Sequence, residues 1–327
     1  MAHLINFSNE RANMAYVGKT PWHGLGQQLT EDAPIEVWAQ EAGFEHTIKV
    51  SPVHFEVEDW EIPGRRWVEE HPARNILYHS TTFKPLGVVS DRYHVVQPRE
   101  VLEFYRDLVE ASGDFQLETA GILDEGQRYW ALAKYREELV FGADTVKPYL
   151  LLATSCDGSM ATRAQFTSVR VVCHNTLQAS MMDDAPTNIS IPHSRMFNAT
   201  AVKEQLNIST VIAGMNQAFS ELMDKAMSRQ RAVDIFIELT IKRDGKGNVS
   251  NEDSVKRISE ELYMSLTTAP GADLETARDT AWGVLNAVTH YVDHKAPSHS
   301  DNNRFKSGQL GNGAAMKERA FHMLMAA

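Results

Sequence analysis

The chain has 327 residues, a formal net charge of -11, 43% hydrophobic and 23% charged residues, and only two cysteines. That length buries a sizeable core in one large domain or two ordinary ones, and the composition is that of a globular protein. It leaves no room for a disulfide framework or a cysteine-built metal cluster, and no run approaches the roughly 18 to 20 apolar residues that cross a bilayer.

The first residues, MAHLINFSNERAN, lack the layout of a signal peptide, so the expected location is the cytoplasm, with both thiols reduced. Residues 1–190 hold 16 Lys+Arg against 27 Asp+Glu, whereas residues 191–327 hold 16 against 16. The surplus of acid argues against generic attraction to nucleic acid and leaves only a local basic groove.

Along the chain, residues 1–35 read as loop. The segment TPWHGLG at 20–26 is a turn-rich knot whose simplest reading is a structural plug with Trp22 buried. Pro34 suits a first helical position, which predicts a short helix over 35–42 ending at Gly43. Alternation of β-branched and aromatic with polar residues from 44 to 96 predicts antiparallel strands, including 75–79 and 84–90, with turns at Pro63-Gly64 and Asp91-Arg92. Pro98 opens an amphipathic helix with Val101, Leu102, Tyr105, Leu108 and Val109 on one face and Gly113 past its end.

Two hairpins come next. Residues 115–123 and 128–135 flank the turn 124–127, and residues 149–155 and 160–172 flank Cys156-Asp157-Gly158-Ser159, where Asp-Gly supplies left-handed backbone. With a helix starting near Thr176 under an Asn175 cap, the order is helix, hairpin, hairpin, helix. Beyond Pro192 the pattern turns helical: 199–227 with a break near Gly214, 232–240, a loop RDGKGN at 243–248, a helix capped by Ser250 or Asn251 and running to 266, 274–293, and 314–325 after a polar stretch at 295–312. The predicted fold is α+β: an antiparallel β-rich region over 1–190 with the helix-hairpin-hairpin-helix core, followed by an α-helical region over 191–327.

No acid lies between Gly158 and Met182, and this window carries Arg163 and Arg170. Strand alternation places Arg163, Gln165 and Thr167 on one face, read as exposed, with Ala164 and Phe166 on the other; Val171, Val172 and Cys173 read as its anchor to the core. Guanidinium beside amide and hydroxyl suits contact with phosphate, and the alternative is a solvated face whose arginines pair with acids. Arg170, inside an apolar run, is either buried in an ion pair or projected into a groove, because burying it alone costs several kcal/mol.

Other constellations are weaker. Cys173 and His174 are sequence neighbours, and neighbours on a strand point apart, so a small buried Cys173 is favoured over a nucleophile. His290 and His294 share a helix face and are the candidate metal ligands, although no HExxH pattern accompanies them. Gly308, Gly311 and Gly313 before Lys317 and Arg319 resemble an anion cradle without matching a known phosphate-loop spacing. Trp67, Arg92, Tyr93, Arg128, Tyr129 and Trp130 are aromatics and arginines of the kind that stack bases. No assembled active site and no cofactor motif is present, so the reading is non-catalytic.

The strings RVVCHNTL at 170–177, TPWHGLG near the start, DRYHVVQPREVLEF at 91–104 and AVTHYVDH at 287–294 resemble an uncharacterised phage/plasmid-like protein family, a domain of unknown function found on phages, prophages and plasmids. The resemblance implies a mobile-element protein in a bacterial host cell and carries no catalytic residues. The order of helix and hairpins also looks like the core of single-strand annealing recombinases, an analogy of topology. The resulting expectation is a DNA-metabolism protein that binds single-stranded DNA through Arg128, Arg163, Gln165, Thr167 and Arg170, as an oligomeric annealing factor. The alternative is an acidic interaction or host-takeover module that binds a host protein.

Overall fold

The computed structural model describes residues 5–8, 10–18, 24–111, 113–170, 172, 175–178, 188–242, 245, 249–299, 303–304, 307–308 and 311–327. Trp22, Val171, Cys173, His174 and most of the 243–248 loop lie outside the described residues. The fold is α+β, with strands in the first part of the chain and most helices in the second.

The first 35 residues are not loop throughout. They hold the strands β1 (Phe7–Ser8), β2 (Arg11–Ala12), β3 (Met14–Val17) and β4 (Gln27–Leu29). Helix α1 (Ile35–Glu41) follows, closed by Gly43 at φ 78°. A three-stranded antiparallel sheet is built from β5 (Ile48–Glu58), β6 (Arg66–His79) and β7 (Pro85–Ser90), with Pro63-Gly64 in the β5–β6 turn. Asp91-Arg92 is not a hairpin turn, because the chain leads from there into helix α2 (Pro98–Arg106) and a π turn at Asp107–Ala111. Gln97 and Glu100 close both ends of a capping box on α2, which fixes where it starts.

The main sheet follows the two hairpins. Its strands are β8 (Phe115–Leu123), β9 (Arg128–Tyr135), β10 (Leu139–Phe141), β11 (Asp144–Ser155), β12 (Thr162–Arg170), β13 (Asn175–Gln178) and β14 (Asn188–Ile191), in the order β13-β12-β11-β9-β8-β3-β4 with β10 on β11 and β14 on β12. Asp124, Glu125 and Gly126 reverse the chain between β8 and β9 with φ of 53°, 57° and 97°. The helix predicted near Thr176 is instead β13, whose backbone pairs antiparallel with β12 from Thr167↔Gln178 to Arg170↔Asn175. A free ladder edge on β12 outweighs the local capping signal of Asn175.

The remaining helices are α3 (Ala199–Leu206), α4 (Ile208–Asp224), α5 (Arg229–Thr240), α6 (Glu252–Thr268), α7 (Ala281–His290), continued by a π turn at Tyr291–Lys295, and α8 (Asn312–Ala326). The break in the first long pattern falls at Asn207, left-handed at φ 40°, not at Gly214. Asn tolerates that conformation, whereas Gly214 sits in a continuous helix. Residues 274–279 form turns rather than the start of α7; Gly283 lets the Ala277 carbonyl approach so closely that a Cβ would lie 1.9 Å from it. Asn251 precedes α6 without capping it, because its side chain bonds back to Thr240 and Lys242 at the end of α5.

One apolar cluster runs through both regions, from Trp38, Phe104, Tyr105 and Phe166 to Phe219, Phe236, Trp282 and Phe321. Tyr105 is fully buried, with its hydroxyl in reach of the carbonyls of Ala131 and Leu150, which ties α2 to two strands of the sheet. Among the described residues no helix is long and apolar enough to cross a membrane.

Candidate nucleic-acid interface

The register of the main sheet assigns each predicted binding residue to a face. Trp130 on β9 lies opposite Ala153 on β11, which lies opposite Arg163 on β12; in the next row Leu132, Leu151 and Gln165 line up. Arg128 is two residues from Trp130, and Thr167 is two from Gln165, so the sheet brings Arg128, Arg163, Gln165 and Thr167 to one face. At about 4.8 Å per strand, Trp130 and Arg163 stand roughly 10 Å apart. At the Trp130 end, Ile5, Ala12 and Met14 form a small apolar cluster against it.

Arg170 belongs to the other face. It is 3% exposed, and its guanidinium meets the fully buried Asp144 with Nε 2.9 and 2.8 Å from the two carboxylate oxygens and Nη2 2.6 Å from Oδ2. Nη2 also donates to the Gly271 carbonyl, and the guanidinium lies 5.9 Å from the centre of the Trp282 ring. Trp282 Nε1 and Thr276 Oγ1 donate to Asp144 at 3.0 and 3.1 Å. The ion-pair alternative for Arg170 therefore holds, and the groove alternative does not.

The expected open face is also more closed than the alternation suggested. Gln165 and Thr167 are 2% and 3% exposed, and Arg163 is half-buried. Val172, expected as an anchor, is 40% exposed instead. Arg128 is half-buried, ion-paired with Asp124 at 2.7 Å and donating to Ser159 Oγ at 3.1 Å. Among the described residues, Arg128 Nε, Arg163 Nε and Gln165 Nε2 on this face have no hydrogen-bond acceptor. A buried donor left unbonded costs about 1 to 3 kcal/mol unless water or another acceptor reaches it.

The other candidates are engaged elsewhere. Tyr129 is fully buried and bonded to His46, which stacks on His79 at 3.8 Å. Tyr93 stacks on His193 and donates to the Ser155 carbonyl. Cys156, buried in the second turn, has its thiol pushed up to about 12 by burial and then by the neighbouring Asp157, which keeps it protonated at neutral pH. His290 and His294 have ring centres 5.1 Å apart, and His290 contacts Ser265. Among the described residues no group of three His, Cys, Asp or Glu side chains could hold a metal. The glycine-rich cradle before α8 is filled: Lys317 is buried against Asp293, Arg319 donates to the Leu239 carbonyl, and Gly313 packs on Val292.

Asp144 was the residue that the sequence concealed, since its partners lie 26 and more positions away. No curated protein and no solved structure matches the chain. A family match does run from β7 through the main sheet, the Asp144 centre and the helices to the start of α8, covering residues 85–314 and hence more than half of the chain. The chain belongs to the family of the domain of unknown function DUF932.

Proposed function

We propose that this chain is a non-catalytic, mobile-element DNA-metabolism protein that binds single-stranded DNA on the face of the main sheet carrying Arg128, Arg163 and Gln165. The observation that supports this reading is a pair of donors on β12 that have no acceptor among the described residues, Arg163 Nε and Gln165 Nε2, two residues apart on one face. Phosphate and base carbonyl oxygens are the acceptors that such a row would take. Thr167 shares the face and is buried there; Arg170 acts through the fold.

Fluorescence anisotropy with a labelled oligonucleotide at low salt tests the reading. Binding at micromolar protein that falls about tenfold in Arg163→Ala with Gln165→Ala, and weakens steeply as salt rises, is the expected result. No binding by the parent chain, or binding untouched by the double variant, would remove the proposal.

A further inference from the structure

The strands β5 and β6 extend well beyond the sheet they share with β7. On β6, only residues 74–78 pair with β7. Farther out, β6 pairs on one side with β5, from His54↔Glu70 to Glu58↔Arg66, and among the described residues no strand lies along its other edge. All residues from 60 to 74 are exposed, including Trp60 at 89% and Val68 at 65%.

The ribbon is nevertheless shaped. Asp59 Oδ1 accepts from the backbone N–H groups of Glu61 and Ile62 at the tip, and the Arg65 guanidinium sits 5.7 Å from the centre of the Trp67 ring. Trp67 Nε1 donates to Glu69. An isolated two-stranded ribbon is marginal in water, and an open edge is a template for another strand.

The free edge reads Gly64-Arg65-Arg66-Trp67-Val68-Glu69-Glu70-His71-Pro72. Laid antiparallel against itself about a two-fold axis at Val68, it sets Arg66 opposite Glu70, Trp67 opposite Glu69 and Val68 opposite Val68. The ladder is bounded by the turn glycine Gly64 at one end and by Pro72, which has no N–H, at the other. Edge charges ordinarily block pairing, but in this register opposite signs meet across the strands.

We propose that a second copy of this chain occupies this edge, so that two ribbons join as β5-β6-β6-β5 about a two-fold axis at Val68. The proposal is independent of the nucleic-acid reading, which uses a different sheet.

Sedimentation velocity on the full chain across micromolar concentrations tests it. The parent is expected to dimerise, and Arg66→Glu and Glu70→Arg are each expected to weaken association about tenfold by placing like charges opposite one another. An equimolar mixture of the two variants should recover the dimer, because each chain then offers the charges that the other lacks. A parent that stays monomeric, variants that dimerise like the parent, or a mixture that stays monomeric would each overturn it. Should either variant lose the parent's circular dichroism spectrum, Val68→Cys decides: mild oxidation should give a linked dimer on a non-reducing gel faster than it does for Thr82→Cys, an exposed position off this edge, and equal rates overturn the proposal. Absence of that dimer, with the parent chain as control, also overturns it.

Discussion

Asp144 accepts hydrogen bonds from Arg170, Trp282 and Thr276 at a point with no solvent exposure, so one carboxylate holds together β11, β12 and the approach to α7. Arg170→Ala leaves that charge buried without its cation, a change that costs about 3 to 5 kcal/mol and lowers the melting temperature by roughly 10 °C. Adding Asp144→Asn to Arg170→Met should recover part of the loss, because the amide carries no charge and still accepts from Trp282 and Thr276. Calorimetry on the parent, Arg170→Ala, Arg170→Met and the double variant checks this, and an unchanged melting temperature in Arg170→Ala would refute the structural role. In the sequence Arg170 had two fates, and the residue that selects between them is Asp144, which nothing local distinguishes from any other acid.

Histidines give a second test at this scale. Burial, and then the charge of a neighbouring histidine, holds His46 and His290 at about 4, against 6.5 for an unperturbed ring. Between those values the unfolded chain binds more protons than the folded one, so stability is complete above pH 6.5 and declines as the pH falls toward 4. Melting temperatures should fall over that window, and His46→Gln should flatten the slope while keeping a partner for Tyr129. A melting temperature that does not change over the window would contradict this.

Among the elements, those set by local chemistry were legible and those set by distant pairing were not. The α2 helix follows from Pro98 and its capping box, and the β8–β9 turn from the polar, glycine-bearing stretch at 124–127 between two alternating runs, although Glu125 itself takes a left-handed φ of 57° that its side chain does not favour. By contrast β13 exists because β12 offers it a ladder, and the helix break at Asn207 was masked by an apolar periodicity that continues through it. Docking of the three-stranded sheet is equally non-local. Gly87 on β7 lies so close to the 156–157 turn that a Cβ would stand 2.6 Å from the Asp157 Cα. Backbone cannot yield there as a flexible side chain would, so Gly87→Ala should push the two sheets apart. Proteolysis of the folded protein should then cut within residues 80–97 faster than in the parent; equal rates would show that the contact relaxes at no cost.

On the scale of the molecule, strands fill the first part of the chain and most helices the second, while the apolar cluster runs through both and the Asp144 centre draws on both. A fragment of residues 1–190 would carry Asp144 and Arg170 without Trp282, Thr276 or the Gly271 carbonyl. It is therefore expected to lack a cooperative thermal transition, whereas the full chain melts in one. A sharp transition in the fragment, followed by circular dichroism, would show that the strand region stands alone.

Lys317 has no solvent exposure, and its ammonium bonds to Asp293 on the π turn after α7, with burial drawing its affinity for protons down. An amine so enclosed is out of reach of acylating reagents while α8 stays in place. Its labelling rate therefore becomes a clock for how often α8 lifts away, in a molecule whose surface lysines react at once, and it would time that opening without a mutation.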